Sequence, residues 1–229
     1  MTQILAMHGW AGHAAAWSHW RKRFEQEGST WQAGDRGYGG DAPCAPRWTS
    51  APGPHVLIAH SLGLHLLPAP VLDQATAVVL LGSFTAFVPE GRAGRAVATA
   101  LKGMQAALGT DQELQMLERF LDKAASPHAL SALPPAPLLR GLTAQGRQRL
   151  QQDLDLLASC RTLPTGWPGN VPVLVVQGEQ DAVVPAASAQ QLIDELEHQP
   201  LALHRDPDWG HALITPTVLS VVQQWLEAL

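Results

Sequence analysis

The sequence predicts an α/β protein with a mostly parallel sheet of about six strands, into which a helical lid is inserted. Two observations lead to this class. Short apolar runs rich in β-branched residues alternate with helical segments, which is the pattern of parallel strands joined by crossover helices. One stretch of roughly eighty residues has helical periodicity only. The strands are predicted near residues 3–8, 29–34, 55–60, 76–82, 172–178 and 201–205.

The long helical stretch divides the chain into a core, residues 1–83 and 166–229, and an inserted lid segment, residues 84–165. A lid over the strand ends would shield a site there from bulk water and shape its pocket. The periodic apolar residues are Leu101, Met104, Leu108, Leu114, Leu117, Leu121, Leu138, Leu150, Leu154 and Leu157, and the prolines that interrupt them are Pro127, Pro134, Pro135 and Pro137.

The two ends of the chain complete the predicted core. Because the first strand already runs into His8 and Gly9, we expect the sheet to lack the leading N-terminal hairpin found in many proteins of this architecture. After the last strand, residues 205–210 predict a loop. Residues 214–229 have the spacing of a terminal amphipathic helix.

Ser61 stands at the join between a strand and a helix. The apolar run 56–59 predicts a buried strand, and residues 62–67 predict the start of a buried helix. A serine held above a sheet on such a sharp turn needs small residues two positions before and after it, and Ala59 and Gly63 meet that need. A serine before a helix is also a common N-cap.

Asp181 follows another strand. The β-branched run 173–176 leads into Gly178 and Asp181, and Pro185 closes the loop. Functional groups of open α/β sheets gather at the carboxyl ends of the strands, where Ser61 is also predicted. Residues 83–85, after the preceding strand, offer no carboxylate. We therefore take Asp181 as the candidate acid, although an aspartate here could also cap the helix that begins near Pro185.

The chain has ten histidines, so position has to select the candidate base. His211 lies in the loop after the last strand, which completes the order serine, acid, histidine along the chain. His204 is the alternative, but it lies within the strand, where a side chain has less freedom to swing. We therefore predict that His211 is the base.

Together these residues predict nucleophilic catalysis. A serine hydroxyl becomes a good nucleophile when a neutral imidazole accepts its proton, and an aspartate holds that imidazole in the required tautomer. The oxyanion formed by the attacked carbonyl needs two hydrogen-bond donors. We expect these to be the backbone N–H of Leu62, at the start of a helix, and the backbone N–H of Trp10, in the loop after the first strand.

Composition and charge exclude several other classes. The net charge of −5 argues against general nucleic-acid binding, and the sequence has neither a glycine-rich phosphate loop nor histidines at metal-ligand spacing. We therefore expect no metal and no cofactor. Without a secretory leader or a long apolar run, we expect a cytoplasmic protein that does not insert into membranes. Cys44 and Cys160 are then expected to be reduced.

Positive charge is concentrated in the lid segment, which has nine Lys or Arg and seven Asp or Glu. The rest of the chain has six Lys or Arg and thirteen Asp or Glu. This distribution favours an anionic or protein-borne substrate that docks over the site. The same residues could instead only solvate helix surfaces. The candidate docking residues are Arg92, Arg95, Lys102, Arg119, Lys123, Arg140, Arg147 and Arg149.

The chain resembles the α/β-hydrolase family of esterases that cleave the methyl ester of pimeloyl-acyl carrier protein in biotin biosynthesis. The resemblance rests on the string HGW at 8–10, on the serine, acid and histidine strings, and on the lid sequences 101–105 and 117–121. It covers nearly the whole chain. Gln115 and the sequence after Ala124 depart from that family's pattern. His65 replaces a small residue of the family, and we expect it to narrow the pocket beneath the turn.

This resemblance implies an α/β-hydrolase fold and a specific reaction. Ser61, Asp181 and His211 match the family's catalytic residues, and Trp10 and Leu62 match its oxyanion donors. Phe120 matches a lid aromatic residue of the acyl channel, and Arg119 matches an arginine that holds the carrier protein. The implied substrate is an acyl-chain ester carried on acyl carrier protein.

Two other functions stay open on the sequence alone. The chain could be a carboxylesterase or lactonase that acts on small esters without a carrier protein. It could also be a non-catalytic ligand receptor with the same fold. We expect the protein to be a monomer, whichever of these functions it has.

Overall fold

The structure is a computed structural model that describes residues 1–134 and 137–229. Pro135, one of the predicted helix interruptions, lies outside the described residues. Six strands are present: β1 (Gln3–Met7), β2 (Thr30–Gly34), β3 (His55–His60), β4 (Ala77–Leu81), β5 (Val173–Gly178) and β6 (Leu201–Asp206). The α-helices are α1 (Ser18–Gln26), α2 (Ala69–Leu72), α3 (Gly91–Ala107), α4 (Glu113–Ala125), α5 (Ala144–Ser159), α6 (Ala186–Glu195) and α7 (Pro216–Glu227).

The strands form one sheet in the order β2-β1-β3-β4-β5-β6, and all the pairings between these strands are parallel. Each connection returns the chain from the carboxyl end of one strand to the amino end of the next. The carboxyl ends of all six strands therefore lie together at one end of the sheet. The predicted α/β class with a parallel six-stranded sheet is confirmed. The bounds of each strand differ from the predicted ones by no more than one residue at either end.

The two faces of the sheet are covered by different helices. Successive side chains of a strand point to opposite faces. On β1, Ile4 packs into a cluster with α1 and α7, whereas Leu5 packs into a second cluster with α2 and α6. The central strands β1, β3 and β4 are therefore apolar on both sides, as expected of a parallel sheet between two helical layers.

A third apolar cluster lies beyond the carboxyl ends of the strands, where α3, α4 and α5 bury Leu101, Leu117 and Leu154 against Trp10 and Phe84 of the loops after β1 and β4. The three helices lie between β4 and β5 in the chain, within the predicted lid segment. One of the periodic apolar residues is exposed. Leu114, in the first turn of α4, is 49% exposed, so the apolar stripe does not reach the start of that helix.

The helix after Ser61 is short and of the 3₁₀ type. Residues 62–67 were expected to begin a buried helix, but the structure has a 3₁₀ helix of six residues, Ser61–Leu66. Pro68 explains its end. The proline ring pushes Leu67 into an extended conformation (φ −84°, ψ 136°), and proline has no N–H to continue the helix.

Candidate active site

Ser61 lies at the tip of β3 in a strained conformation. Its φ is +55°, in the left-handed region that residues other than glycine rarely adopt. Gly63 explains how the turn packs: a Cβ at this position would lie 2.4 Å from the carbonyl oxygen of Met7. The turn therefore needs the small residue that the sequence provides, and the side chain of Ser61 is held at the carboxyl edge of the sheet.

The loop after β1 lies directly against Ser61. A Cβ built on Gly9 would be 2.7 Å from Ser61 Cβ and 3.2 Å from Ser61 Oγ, so only glycine leaves room for the serine. Trp10, the next residue, and Leu62, which follows Ser61, are both buried beside the serine. The N–H groups at the start of a helix have no partner within it, which leaves the N–H of Leu62 available to a ligand.

Asp181 and His211 form a hydrogen-bonded pair. His211 Nδ1 lies 2.8 Å from Asp181 Oδ2. A carboxylate oxygen accepts, so we place the imidazole hydrogen on Nδ1, and Nε2 is left as an acceptor. The other carboxylate oxygen of Asp181 accepts hydrogen bonds from the backbone N–H groups of Val183 at 2.7 Å and Val184 at 2.9 Å.

These contacts keep the carboxylate ionised. Burial, the largest single influence, acts to raise the pKa of Asp181, but the charge and hydrogen bond of His211 and the two backbone N–H groups outweigh it. The pKa of Asp181 is therefore lowered. An ionised Asp181 can stabilise a positively charged His211 without taking its proton.

Gly82, at the end of β4, makes space for this pair. It has φ +51°, and a Cβ at this position would lie 3.3 Å from His211 Nδ1 and 3.4 Å from Asp181 Oδ2. The sequence places Gly9 in the HGW string, but it gives neither Gly9 nor Gly82 a role in the packing of the site. The signal that could have found both is a glycine directly at, or two residues beyond, the carboxyl end of a central strand.

The loop that holds His211 is packed against the end of β5. A Cβ on Gly178 would lie 2.2 Å from the carbonyl oxygen of Trp209, and the N–H of Gln180 donates to the same oxygen at 2.9 Å. The alternative base, His204, lies within β6, and its ring packs against Trp209 with 5.2 Å between centroids. The structure therefore brings His211, and not His204, to Asp181.

Ser61 borders two cavities. The larger has a volume of about 460 Å³ and is lined mainly by apolar side chains of the lid segment, including Leu101, Met104, Met116, Phe120 and Leu157. The smaller, of about 90 Å³, is lined by Gly9, Trp10, His60, Ser61 and His211, among others. The serine thus lies where a large apolar space meets a small one that it shares with the histidine.

Phe120 and Arg119 both line the larger cavity. The ring of Phe120 packs edge-on against Trp10, with 4.7 Å between centroids and an interplanar angle of 88°. Arg119 and Lys123 are exposed at the rim of the same cavity. Neither forms an ion pair within the described residues.

Two of the predicted docking arginines instead make contacts within the protein. Arg147 forms an ion pair with Glu113 of α4, with 2.9 Å between its terminal nitrogen and a carboxylate oxygen. Arg149 donates to the carbonyl oxygen of Gly37 at 3.1 Å. His65 also differs from expectation. Its ring stacks on Phe84, Nε2 lies 2.9 Å from the Phe84 carbonyl oxygen, and the side chain contributes to neither of the two cavity linings in the described part of the chain.

The lid segment is tied to the core by a buried ionic network that the sequence did not reveal. Asp153 of α5 accepts two hydrogen bonds from Arg36, at 2.8 and 2.6 Å, and a third from the hydroxyl of Tyr38. One turn earlier, the carbonyl of Leu150 accepts a hydrogen bond from the indole N–H of Trp10 at 3.0 Å. Helix α5 therefore contacts the same loop that approaches Ser61.

Neither a metal centre nor a membrane-spanning helix is found among the described residues. No group of three or more His, Cys, Asp or Glu side chains in residues 1–134 and 137–229 is arranged to hold a metal ion. None of the helices there has the length and apolarity needed to span a bilayer.

Comparison with solved structures identifies the fold. An esterase from Exiguobacterium antarcticum superposes with a TM-score of 0.69 over 100% of this chain and 91% of its own, at 17% identity. The chain has the α/β-hydrolase fold. ClbQ from the colibactin NRPS/PKS pathway (TM-score 0.66, 15% identity, 99% of this chain and 97% of its own) and a malate-bound thermophilic esterase from Thermogutta terrifontis (0.66, 15%, 100% and 90%) are also similar.

These comparisons confirm the α/β-hydrolase fold expected from the resemblance. No protein-family model matches the sequence, and a search of curated protein sequences found no match. The proposed roles of Ser61, Asp181, His211, Trp10 and Leu62 therefore rest on their geometry.

Proposed function

We propose that the protein is a serine carboxylesterase that hydrolyses the methyl ester of an acyl chain bound to acyl carrier protein, with pimeloyl-acyl carrier protein of biotin biosynthesis as the substrate. The proposal includes a cytoplasmic, monomeric enzyme without metal or cofactor. The larger acyl space, the small space beside the histidine and the cationic rim of the lid segment support it.

The observation that carries the proposal is the position of Ser61 between two cavities of unequal size. In serine hydrolases the histidine returns its proton to the leaving alcohol, so the alcohol must lie on the side of His211. The cavity that His211 lines has a volume of only about 90 Å³, which suits a small alcohol such as methanol. The apolar cavity of about 460 Å³ then receives the acyl chain.

The proposed reaction follows from this arrangement. Ser61 Oγ attacks the ester carbonyl while Nε2 of His211 accepts the hydroxyl proton, and the N–H groups of Trp10 and Leu62 stabilise the oxyanion. The carbon–oxygen bond to methanol then breaks, and His211 protonates the leaving oxygen. Water activated by His211 hydrolyses the acyl-enzyme, so ester and water yield the free acid and methanol. Asp181 stays ionised throughout.

The rim of the larger cavity supports a carrier-borne substrate. Arg119 and Lys123 lie one helical turn apart on α4, are exposed and line the cavity. An acyl chain in that cavity would leave it past these two cations, where an anionic carrier would meet a favourable potential. Arg147 and Arg149 already contact other residues of the protein. The remaining candidate contacts for the carrier are Arg92, Arg95, Lys102, Arg119, Lys123 and Arg140.

The test compares wild type with Ser61→Ala on two substrates, pimeloyl-acyl carrier protein methyl ester and p-nitrophenyl acetate. We expect the wild type to cleave both and the variant to cleave neither. We also expect kcat/KM for the carrier-bound ester to fall steeply as salt is added, while hydrolysis of the small ester stays constant, because surface attraction is screened within roughly 10 Å at 0.1 M salt.

Other outcomes would point to the other functions. Cleavage of the small ester alone would support a carboxylesterase or lactonase without a carrier protein. Tight binding of an ester without turnover by wild type would support the ligand receptor. Undiminished activity of Ser61→Ala would contradict the serine mechanism itself.

A further inference from the structure

His60 is the last residue of β3 and precedes Ser61, and the proposed reaction gives it no role. Its Nε2 lies 2.9 Å from the backbone carbonyl oxygen of His211. A carbonyl oxygen can only accept, so Nε2 of His60 carries the hydrogen and donates. The two imidazole rings are 4.8 Å apart between centroids, at an angle of 46°. One side chain therefore connects the strand that carries Ser61 to the loop that carries His211.

The carbonyl of His211 has two donors. Besides His60, the backbone N–H of Leu213 donates to the same oxygen at 2.9 Å, so both of its lone pairs are used. The segment from 207 to 215 connects β6 to α7 without regular secondary structure. In such a loop, a side-chain donor on the carbonyl of His211 constrains the main chain at the residue that carries the imidazole.

His60 stays neutral over the working pH range of an esterase. Burial, followed by the positive charge that His211 can carry, lowers the pKa of His60 to about 3, although its hydrogen bond to His211 and the charge of Asp181 act in the opposite direction. His8 is the other titratable group that influences it. The single hydrogen therefore stays on Nε2, and no second cation competes with the charge that develops on His211.

We propose that His60 is a positioning residue that holds His211 in place to accept the proton of Ser61. The inference rests on the proposed serine mechanism and deepens it. His60 acts through the backbone of His211 and takes no proton itself. The imidazole of His211 is then fixed at both ends, by Asp181 on Nδ1 and by His60 on the main chain.

The test compares a substitution that keeps the hydrogen-bond donor of His60 with one that removes it. In His60→Gln the side-chain amide nitrogen occupies nearly the place of Nε2 and can still donate, whereas His60→Leu is of similar size and cannot. We expect His60→Leu to lower kcat for p-nitrophenyl acetate about 10- to 100-fold with little change in KM, as for small misplacements of a catalytic group. We expect His60→Gln to stay within about threefold of wild type.

His65→Leu is the matched control. His65 makes the same kind of bond, from Nε2 to the carbonyl oxygen of Phe84 at 2.9 Å, and it lies on the 3₁₀ helix that follows Ser61. A purely structural role of His60 would make both leucine variants lose thermal stability and activity alike. We expect similar losses of thermal stability but a much larger loss of kcat for His60→Leu.

Two further measurements keep the inference testable. If His60→Leu does not fold, His60→Asn, whose amide cannot reach the carbonyl, takes its place with the same expected loss. The acid limb of kcat/KM against pH should follow one ionisation in wild type and in His60→Gln. Two ionisations in wild type that become one in His60→Gln would mean that His60 exchanges protons during catalysis, which would overturn the positioning role.

Labelling of Ser61 by a fluorophosphonate separates this inference from the proposed function, because labelling needs an activated serine but no natural substrate. Slower labelling in His60→Leu than in His60→Gln would support the assignment. Equal labelling of wild type and His60→Leu would overturn the role of His60 and leave the serine mechanism standing. A wild type that is neither labelled nor active would overturn both.

Discussion

Replacing Asp153 with Asn should weaken the attachment of the lid segment to the core and destabilise the protein. The Asp153 side chain is only 3% exposed and that of Arg36 is 29% exposed, and the carboxylate accepts three hydrogen bonds. Removing one partner of a buried ion pair typically costs about 3–5 kcal/mol. Because Arg36 keeps some access to water, we expect the lower end, about 3 kcal/mol of unfolding free energy.

The assay is urea and thermal unfolding followed by the fluorescence of the eight tryptophans. For a chain of this length, about 3 kcal/mol corresponds to a Tm lower by roughly 6–12 °C. The control is Glu25→Gln, which removes the same charge from an exposed pair with Arg21 and should cost less than about 1 kcal/mol.

The same variant should also affect catalysis. Leu150, one turn from Asp153 on α5, accepts the indole hydrogen bond of Trp10, and the backbone of Trp10 is a proposed oxyanion donor. We therefore expect kcat for a short ester to fall more than KM rises, at a temperature where the variant is folded. A variant that unfolds within about 1 kcal/mol of wild type would refute the reasoning that this network anchors the lid segment.

Three other outcomes are expected. The carboxylate of Asp35 accepts hydrogen bonds from the backbone N–H groups of Ala14 and Gly37. Burial acts to raise its pKa, but His8 and these two hydrogen bonds outweigh burial and lower the pKa from 3.8 to about 2. Asp35→Asn should therefore cost at most about 2 kcal/mol at pH 7, and urea unfolding should show the difference closing as the pH falls from about 4 to 2; a difference that grows on acidification would contradict this. Gly9→Ala should lower kcat at least about tenfold and should also lower Tm, because the new methyl group overlaps Ser61; an unchanged kcat would mean that the loop can yield. Phe120→Ala should weaken the preference among acyl chain lengths more than it lowers hydrolysis of a short ester, and equal losses in a kcat/KM series would count against Phe120 as a wall of the acyl cavity.

Part of the candidate site was predictable because it depends on chain-local features. Ser61, Asp181 and His211 each follow a strand of the sheet, and parallel strands bring their carboxyl ends together. Their approach therefore follows from the order of strands and loops. The choice of His211 over His204 also rested on local structure, because one lies in a loop and the other within a strand.

Other parts depended on contacts between residues far apart in the chain. Arg36 and Asp153 are separated by 117 positions, and His60 and His211 by 151. No local pattern marks such partners, since an arginine or histidine in a polar context is more often on the surface. The same reason explains why Arg147 and Arg149 looked like docking residues although both bind within the protein.

The sequence by itself determined the six strands, the helical character of the segment between β4 and β5, and the chain order of Ser61, Asp181 and His211, because hydrophobic periodicity and turn residues act over a few positions. Only the tertiary structure decided how the 3₁₀ helix, the lid helices and the loops pack around Ser61. Cavity volumes, hydrogen-bond partners and burial arise when distant segments meet. They decide that a large apolar space and a small one meet at Ser61, and that His60 holds the backbone of His211.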